Sequence, residues 1–467
     1  MAKKSGLGAL LAVNLHDKSD LPTYLQLANQ IREAILSGQL LPGARLVSTR
    51  VLSYELGISR NTALHAYEVL AAEGYLDSYT GNGTFVNNTV PDDLLYAKPP
   101  VRYQRDKKTD YSSDKLRLSS RGESIVASYN DLPNERILPF APDIPDISEF
   151  PIQTWLRLMG ETAGKLRGEN LTRIPNAGYE PLRKAIANHV SVSRGVICDW
   201  EQVIVTTGSQ QSLDLITRLL LDSDDVVWME EPGYIRARSI VEASQCKVIG
   251  VPVDENGLDI NFGAKMYPNP KLIFISPSRQ YPLGLPMNWE RRLQILEFAK
   301  TNSSIIVEDD YDCEFQYFGE PISALQGIDR DGIVFYTGTF SKTLIPTFRL
   351  GYVIVPKGYE SSFSNARTIF DRHAPLMEQM ALAEFIETGR FVSHIRRMRR
   401  IYKSRQDSIR KCLFEQTAGL INVPPQLNGT NIIIPLPENS DDLAICNKLY
   451  EHNVIVRPLS MFFNQHP

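Results

Sequence analysis

Between residues 203 and 355, seven short runs rich in Val and Ile alternate with amphipathic stretches: 203–206, 226–229, 247–251, 272–276, 304–307, 333–336 and 352–355. Runs of this length read as buried strands, and the segments between them as helices. The alternation therefore predicts an α/β architecture, a mostly parallel sheet with helices on both faces. In such sheets the working groups gather at the carboxyl ends of the strands, so the search for a site narrows to a few turns.

The most informative turn is Tyr336-Thr337-Gly338-Thr339-Phe340-Ser341-Lys342, with Arg349 seven residues further on. A strand that runs into small hydroxyl residues and ends on one lysine suits an amine held for Schiff-base chemistry, with Thr339, Ser341 and Arg349 beside it for a phosphate. Alone, the same string also describes a solvated surface lysine. Other strand ends add to it. Thr207-Gly208-Ser209-Gln210-Gln211 leaves a strand and opens a helix, a place where backbone amides, Ser209 and Gln210 can cradle a phosphate. Glu230-Glu231-Pro232-Gly233-Tyr234 offers Tyr234 as a plate for a flat ring, and Ser276 to Gly284 forms a loop bounded by proline and glycine. Asp309 and Tyr311 are expected just past a buried strand, 33 residues before Lys342, while Asp310, Asp312 and Glu314 read as solvated.

Taken together these features specify pyridoxal phosphate. A carboxylate must face the pyridine nitrogen to keep it protonated, which suits Asp309. Tyr311 would bond the ring hydroxyl, Tyr234 would stack on the ring, and Lys342 would carry the Schiff base. In order and spacing, residues 135–467 resemble the fold-type-I aminotransferases. Two departures stand out: Gln280-Tyr281-Pro282 lacks the asparagine commonly found before that proline, and the chain ends at Phe463-Asn-Gln-His-Pro467, which leaves the C-terminal subdomain apparently truncated against that family.

The first 86 residues, with a core at 21–86, follow another pattern. A helix begins after Pro22; Ser48 caps a second, ending at Gly57; Ser59 caps a third over 60–73, followed by a two-strand hairpin around Gly81-Asn82-Gly83. Helix, helix, turn, helix, hairpin is the winged helix-turn-helix layout. On the third helix Ala63, Ala66, Tyr67 and Leu70 share the inward face at 100° per residue. Asn61, His65 and Glu68 share the outward one, with Arg60 and Thr62 at its amino end. Arg60 and Asn61 are residues that read guanine and adenine edges; Arg50 and Gly83 are placed for backbone and minor-groove contact. The module nonetheless holds four arginines against five acids, a net −1, so composition leaves DNA binding and protein docking both open.

Pro22-Thr-Tyr-Leu-Gln, Gly38-Gln-Leu-Leu-Pro-Gly43, Ser48-Thr-Arg50, Leu56-Gly-Ile-Ser-Arg-Asn-Thr62 and Gly81-Asn-Gly-Thr-Phe-Val86 resemble, in order, the GntR-type winged helix of bacterial regulators. The resemblance implies double-stranded promoter DNA as a partner and Arg50, Ser59, Arg60, Asn61, Thr62, His65 and Gly83 as contact positions. Residues 87–134 lose periodicity and read as a flexible linker with a basic run at Arg102, Arg105, Lys107 and Lys108. The whole arrangement, an α+β winged helix joined to an aminotransferase-like half, resembles the MocR family of transcriptional regulators, with GabR as its best-known type. That implies a head-to-tail homodimer that senses pyridoxal phosphate, alone or joined to an amino compound whose acidic group meets Arg236 or Arg457. The competing reading is an active aminotransferase carrying an autoregulatory DNA-binding domain.

Bulk properties agree with such a protein. At 467 residues two or three domains are expected, and a net charge of −4 gives no global attraction to nucleic acid or membrane. Five scattered cysteines, none in a CxxC pair, argue for a reducing compartment and against a disulfide framework or zinc site. The start, Lys3-Lys4 then residues 6–13, is too short and too interrupted for a signal peptide, and no run reaches the ~18 apolar residues of a membrane span. A cytoplasmic location is expected.

Overall fold

The computed structural model describes residues 15, 21–79, 81–89, 117–130, 138–168, 175–319 and 322–464. The chain divides into two compact units, Met1–Lys115 and Leu116–Pro467. The basic run at Arg102–Lys108 and the Lys3-Lys4 segment lie outside the described residues.

In the first unit, α1 (Thr23–Leu36), α2 (Thr49–Leu56) and α3 (Arg60–Ala72) precede an antiparallel pair, β1 (Leu76–Tyr79) and β2 (Gly83–Val86). The caps are those the sequence suggests. Ser48 accepts from the Val51 amide, Ser59 from the Thr62 amide at 3.0 Å, and Gly57 ends α2 in the left-handed region at φ 65°. One core gathers Leu27, Ala28, Ile31, Leu52, Ala63, Ala66, Tyr67 and Leu70 with Leu76 and Val86 of the hairpin. The Tyr67 hydroxyl donates to Val47 O at 3.0 Å and pins α3 to the segment before α2.

The second unit is built on an eight-stranded sheet in the order β3-β10-β9-β8-β7-β4-β5-β6. Its strands are β3 (Val203–Thr206), β4 (Val226–Glu231), β5 (Lys247–Asp254), β6 (Gly257–Leu258), β7 (Leu272–Ile275), β8 (Ile305–Asp310), β9 (Val334–Thr339) and β10 (Gly351–Ile354). Pairing is parallel from β9 through β8, β7 and β4 to β5, while β10 runs against both β9 and β3. Apolar clusters cover both faces. One holds Trp155, stacked on Phe348 at 4.4 Å, with Phe385 and Phe391; the other holds Ile216, Val227, Met229, Phe335 and Phe363.

Four strands run further than their apolar runs suggest, β5 among them, which continues to Asp254. β4 continues through Glu231, β8 through Asp310, and β9 through Thr339, so Asp309 is a strand residue paired with Thr337 rather than a loop residue. Gly338 makes the extension possible, because the Tyr352 side chain occupies the space a Cβ would need, 2.3 Å from its ideal position. Within the expected linker, Ser120–Asn130 is a helix. Ser119 caps it by accepting from the Gly122 amide at 3.1 Å, and it packs against the helix Ile235–Ala243. That docking, invisible to periodicity, stabilises a segment of weak apolar pattern.

Candidate functional site

The carboxyl ends of β8 and β9 bring the central groups together. Lys342 lies three residues beyond β9, and its Nζ donates to Asp143 Oδ1 at 2.7 Å. Asp143 is the centre of an ionic cluster. Its Oδ2 accepts from Arg457 Nη1 at 2.5 Å and from the Tyr281 hydroxyl at 2.7 Å, and Asn431 Nδ2 donates to Oδ1 at 3.1 Å. Desolvation acts to raise this carboxyl, but the charges of Lys342 and Arg457 outweigh it and hold the group well below the usual carboxylate range. The backbone of Asp143 sits at φ 69°, in the left-handed region that Asp and Asn tolerate better than most side chains.

Asp309 lies on the neighbouring strand and is buried. Burial lifts its carboxyl to about 7, against the Thr337 hydroxyl, which donates to Oδ1 at 3.0 Å, and the positive field of Lys342. Among the described residues only that one oxygen is hydrogen-bonded. Tyr311 follows at the end of β8, and its hydroxyl accepts from Arg279 Nη1 at 3.0 Å. Three tyrosines meet edge to face: Tyr281 is 5.7 Å from Tyr234 and 5.7 Å from Tyr311, ring centre to ring centre. Burial pushes the Tyr234 and Tyr281 hydroxyls well above the ordinary phenol range.

At the start of the helix Ser209–Leu220, Gly208 has φ 123°, and the Arg349 guanidinium lies 3.4 Å from where its Cβ would be. A side chain at 208 would be strained and would crowd that cation. Gly351 approaches as closely, its ideal Cβ 2.7 Å from Gly208 Cα. Ser209 and Gln210 occupy the first turn of the helix, where amides without helical partners attract anions. Across the opening, Thr339 Oγ1 donates to Ser341 Oγ at 3.1 Å. Gln211, by contrast, closes the turn: its Oε1 accepts from the Thr207 amide at 2.8 Å.

Several residues here were not anticipated. Asp143, Tyr281, Arg279 and Asn431 all line the cleft or hold it. The buried Arg279 bonds Tyr311, Asp312, Asn428 O and Asn431 O, which brings the loop at 428–431 to the site. The only local signal for Asp143 is its place between Pro142 and Pro145. Asp310, Asp312 and Glu314 are not solvated, contrary to expectation. Asp310 is buried against Arg194 Nε at 2.7 Å and the Tyr336 hydroxyl at 2.6 Å, and Asp312 is buried against Arg279. Glu314 is half-buried, and burial lifts its carboxyl to about 7. The cations that cover the two aspartates come from segments 116 and 33 residues earlier, which spacing cannot show. Of the two arginines expected to meet an acidic effector, Arg457 is in the cluster. Arg236 is exposed in the first turn after Tyr234, and among the described residues no hydrogen bond joins it to the cluster.

In the first unit, Ala63, Ala66, Tyr67 and Leu70 are buried, while Arg50, Ser59, Arg60, Asn61, His65 and Gly83 are exposed and Thr62 is half-buried. Ser59 and Thr62 also serve structure, their hydroxyls 2.8 Å apart in the α3 cap. Arg32 is taken up by Glu73 at 2.5 Å, and the Arg45 guanidinium lies against Gly83, 3.0 Å from its ideal Cβ. Arg45, Arg50 and Arg60 are thus exposed arginines of the unit without an ion pair among the described residues, and Arg60 stands at the start of α3, so the net −1 conceals a locally cationic helix end. His65 lies 3.9 Å from Glu68.

Chemically the cleft of the second unit offers a primary amine, a buried carboxyl and a guanidinium beside a helix start. These complement the aldehyde, ring nitrogen and phosphate of pyridoxal phosphate, so the residues fit that group.

Comparison with known proteins agrees with both halves. Residues 147–464 match the family described as aminotransferase class I and II, and residues 23–86 match the bacterial regulatory proteins of the gntR family. The chain is 36% identical over 454 residues to a probable rhizopine catabolism regulatory protein, MocR, of Rhizobium meliloti, covering 96% of this chain and 89% of that one. It is 31% identical over 410 residues to the pyridoxine biosynthesis transcriptional regulator PdxR of Corynebacterium glutamicum, covering 86% and 81%. Among solved structures, a kynurenine aminotransferase of Pyrococcus horikoshii matches with a TM-score of 0.64 and 26% identity over 77% of this chain and 90% of that one. A multiple substrate aminotransferase of Thermococcus profundus matches with a TM-score of 0.66 and 25% identity over 74% and 89%. With a winged helix of the gntR family fused to a class I and II aminotransferase fold over nearly its whole length, the chain belongs to the MocR family of transcriptional regulators.

Proposed function

We propose that this regulator binds pyridoxal phosphate through Lys342 and works as a cytoplasmic homodimer that changes its grip on promoter DNA when the cofactor, alone or with an amino effector, occupies the cleft. The observation that carries the reading is the pairing of a reachable amine, Lys342, with a buried carboxyl, Asp309, on adjacent strand ends. Bound there, the cofactor supplies an aldehyde that captures primary amines and a ring that draws electrons from them.

The chain's own residues do the rest. Asp309 holds a proton between itself and the ring nitrogen, a role suited to an acid lifted to about 7. Arg349, Ser209, Gln210, Thr339 and Ser341 bind the phosphate, and Gly208 keeps that corner open. Tyr234 and Tyr281 form an apolar wall that excludes water from one side, and Tyr311, oriented by Arg279, directs a hydroxyl inward. Arg236 and Arg457 stand as the cations nearest an effector's acidic group. Outward-facing Arg60 and Asn61 read base edges, with Arg50, Ser59, Thr62, His65 and Gly83 around them. Effector binding biases the DNA-bound arrangement by its different affinity for the two states.

The test is spectroscopic. Full-length protein incubated with pyridoxal phosphate should keep a visible absorbance band through gel filtration, and Lys342→Ala should lose it. Persistence of the band in Lys342→Ala would overturn the attachment. Steady-state conversion of amino and keto acids at about 1 s⁻¹ or faster would make the protein an aminotransferase instead.

A further inference from the structure

We infer that Asp143 fills, from within the chain, the place that the carboxylate of an α-amino acid would take beside Lys342. The cleft then answers amines whose nitrogen-bearing carbon carries no carboxylate and turns α-amino acids away. The inference deepens the proposed function and rests on the attachment of the cofactor to Lys342.

The donors around Asp143 are those of a carboxylate-binding site. Arg457 Nη1 and the Tyr281 hydroxyl donate to Oδ2 at 2.5 and 2.7 Å, and Asn431 Nδ2 donates to Oδ1 at 3.1 Å. A guanidinium, a phenol and an amide converging on two oxygens would hold the acid group of a ligand equally well. Here the acid belongs to the chain. Its spacing from the lysine is also that of an amino acid. Standard bond lengths put the nitrogen and the nearer carboxylate oxygen of an α-amino acid ~2.7 Å apart, and Lys342 Nζ stands 2.7 Å from Asp143 Oδ1. A ligand nitrogen that takes the place of Nζ would bring its own carboxylate onto the atoms of Asp143.

The occupant is fixed on both sides. The Ile455 amide donates to Pro139 O at 3.1 Å, the Asp146 amide donates to the Tyr402 hydroxyl at 2.9 Å, and Asp146 Oδ2 meets Arg405 at 2.6 Å. Pro142 and Pro145 restrict the backbone between these ties. Lys342 and Arg457 keep the carboxyl ionised, so it repels a second carboxylate as well as occupying its place.

The state of the lysine does not open the site. The bonds from Arg457, Tyr281 and Asn431 do not involve Lys342. When a ligand amine replaces the lysine, its carbon–nitrogen double bond to the cofactor forms as that of Lys342 breaks, and two hydrogens pass from the ligand nitrogen to Nζ. The lysine is then an ammonium again and returns to Asp143, which holds the carboxylate where it stood. The restriction falls on the α-carboxylate; an acid group further along a ligand lies outside the filled place.

The experiment uses full-length protein loaded with pyridoxal phosphate and two ligands that differ by one group, L-alanine and ethylamine. Affinity is read from the shift of the cofactor band and independently from the rise in melting temperature. Wild type should bind L-alanine no more tightly than ethylamine. Asp143→Gly, which suits the backbone at φ 69°, opens the place beside Arg457 Nη1 and the Tyr281 hydroxyl. The ratio of L-alanine to ethylamine affinity should rise roughly tenfold or more over wild type, and a further Arg457→Gln change should return it to within about threefold. A wild type that prefers L-alanine tenfold, a ratio unchanged in a folded Asp143→Gly, or a gain that survives Arg457→Gln would each overturn the inference. The wild-type ratio decides even if the variants fail to fold. A wild type whose band answers both ligands but favours L-alanine leaves the cofactor assignment standing and removes this one; a wild-type protein that retains no cofactor overturns both.

Discussion

Replacing Asp309 with Asn should make the cofactor-free protein more stable above neutral pH while weakening its hold on the cofactor. In the folded protein burial keeps the Asp309 carboxyl protonated up to about 7, whereas in the unfolded chain it ionises near 3.8. Folding therefore takes up a proton between these values. Stability contributed by this group is fully present below the unfolded pKa, falls as pH rises across the window, and levels off above it. About three units at 1.36 kcal/mol each amount to roughly 4 kcal/mol. Asn has the same shape, accepts the Thr337 hydroxyl and has no proton to lose, so the variant should match wild type near pH 4 and exceed it by up to about 4 kcal/mol at pH 8. At roughly 2 °C per kcal/mol for a large unit, the gap in melting temperature approaches ~8 °C. Calorimetry of the cofactor-free, full-length proteins across that range is the assay, read on the transition of the larger unit. Buried Glu230, lifted to about 8, and Glu308, lifted to about 7, impose the same direction of decline on both proteins; because the Asp309 charge is one of the causes that lift Glu230, the difference between the curves reports Asp309 together with its coupling to Glu230. Parallel curves would refute the reasoning. Adding pyridoxal phosphate at pH 8 should then stabilise wild type strongly and the variant little.

Three other perturbations probe the rest of the chain. Arg60→Ala, at the exposed start of α3, should weaken operator binding by about 1–3 kcal/mol, measured by gel shift against sequence variants, with the protein's own melting unchanged. Ser59→Ala removes the oxygen that accepts from the Thr62 amide and should cost the first unit about 1 kcal/mol in urea denaturation. Arg279→Met leaves the buried Asp312 without its cation and should destabilise the second unit by roughly 3–5 kcal/mol, most of which a further Asp312→Asn change should recover.

What could be read from the sequence divides along a physical line. The seven strands were legible because Val and Ile runs report burial directly. The exposed face of α3 was legible because one helix obeys one period, as the buried Ala63, Ala66, Tyr67 and Leu70 show. The ends of β8 and β9 were not, since Glu308, Asp309 and Asp310 read as a turn in a one-dimensional pattern. They become strand only because partners distant in sequence satisfy them: the Leu325 and Gln326 amides for Glu308, Thr337 for Asp309 and Arg194 for Asp310. Asp143 was hidden for the same reason, 199 residues from the lysine it meets. Lys342 and Arg349 were singled out because a strand end followed by small hydroxyl residues is a local pattern, and Asp309 because it follows a buried apolar run. The Asp143 cluster is not local at all.

This difference bears on the sensing role proposed above. The cleft is assembled from groups that are costly in its absence of ligand: Asp309 and Glu230 are desolvated enough to be held protonated, and three phenols crowd one another around Tyr281. A ligand that gives Asp309 a cationic partner and fills the space beside Tyr234 binds only the folded arrangement, and its binding free energy adds to the stability of the unit by mass action, about 2.7 kcal/mol at a hundredfold excess over Kd. If the cleft is loaded as proposed, Lys342, Asp143 and Arg457 have to re-pair, so occupancy would change the energy of the fold, which is what sensing by this cleft requires.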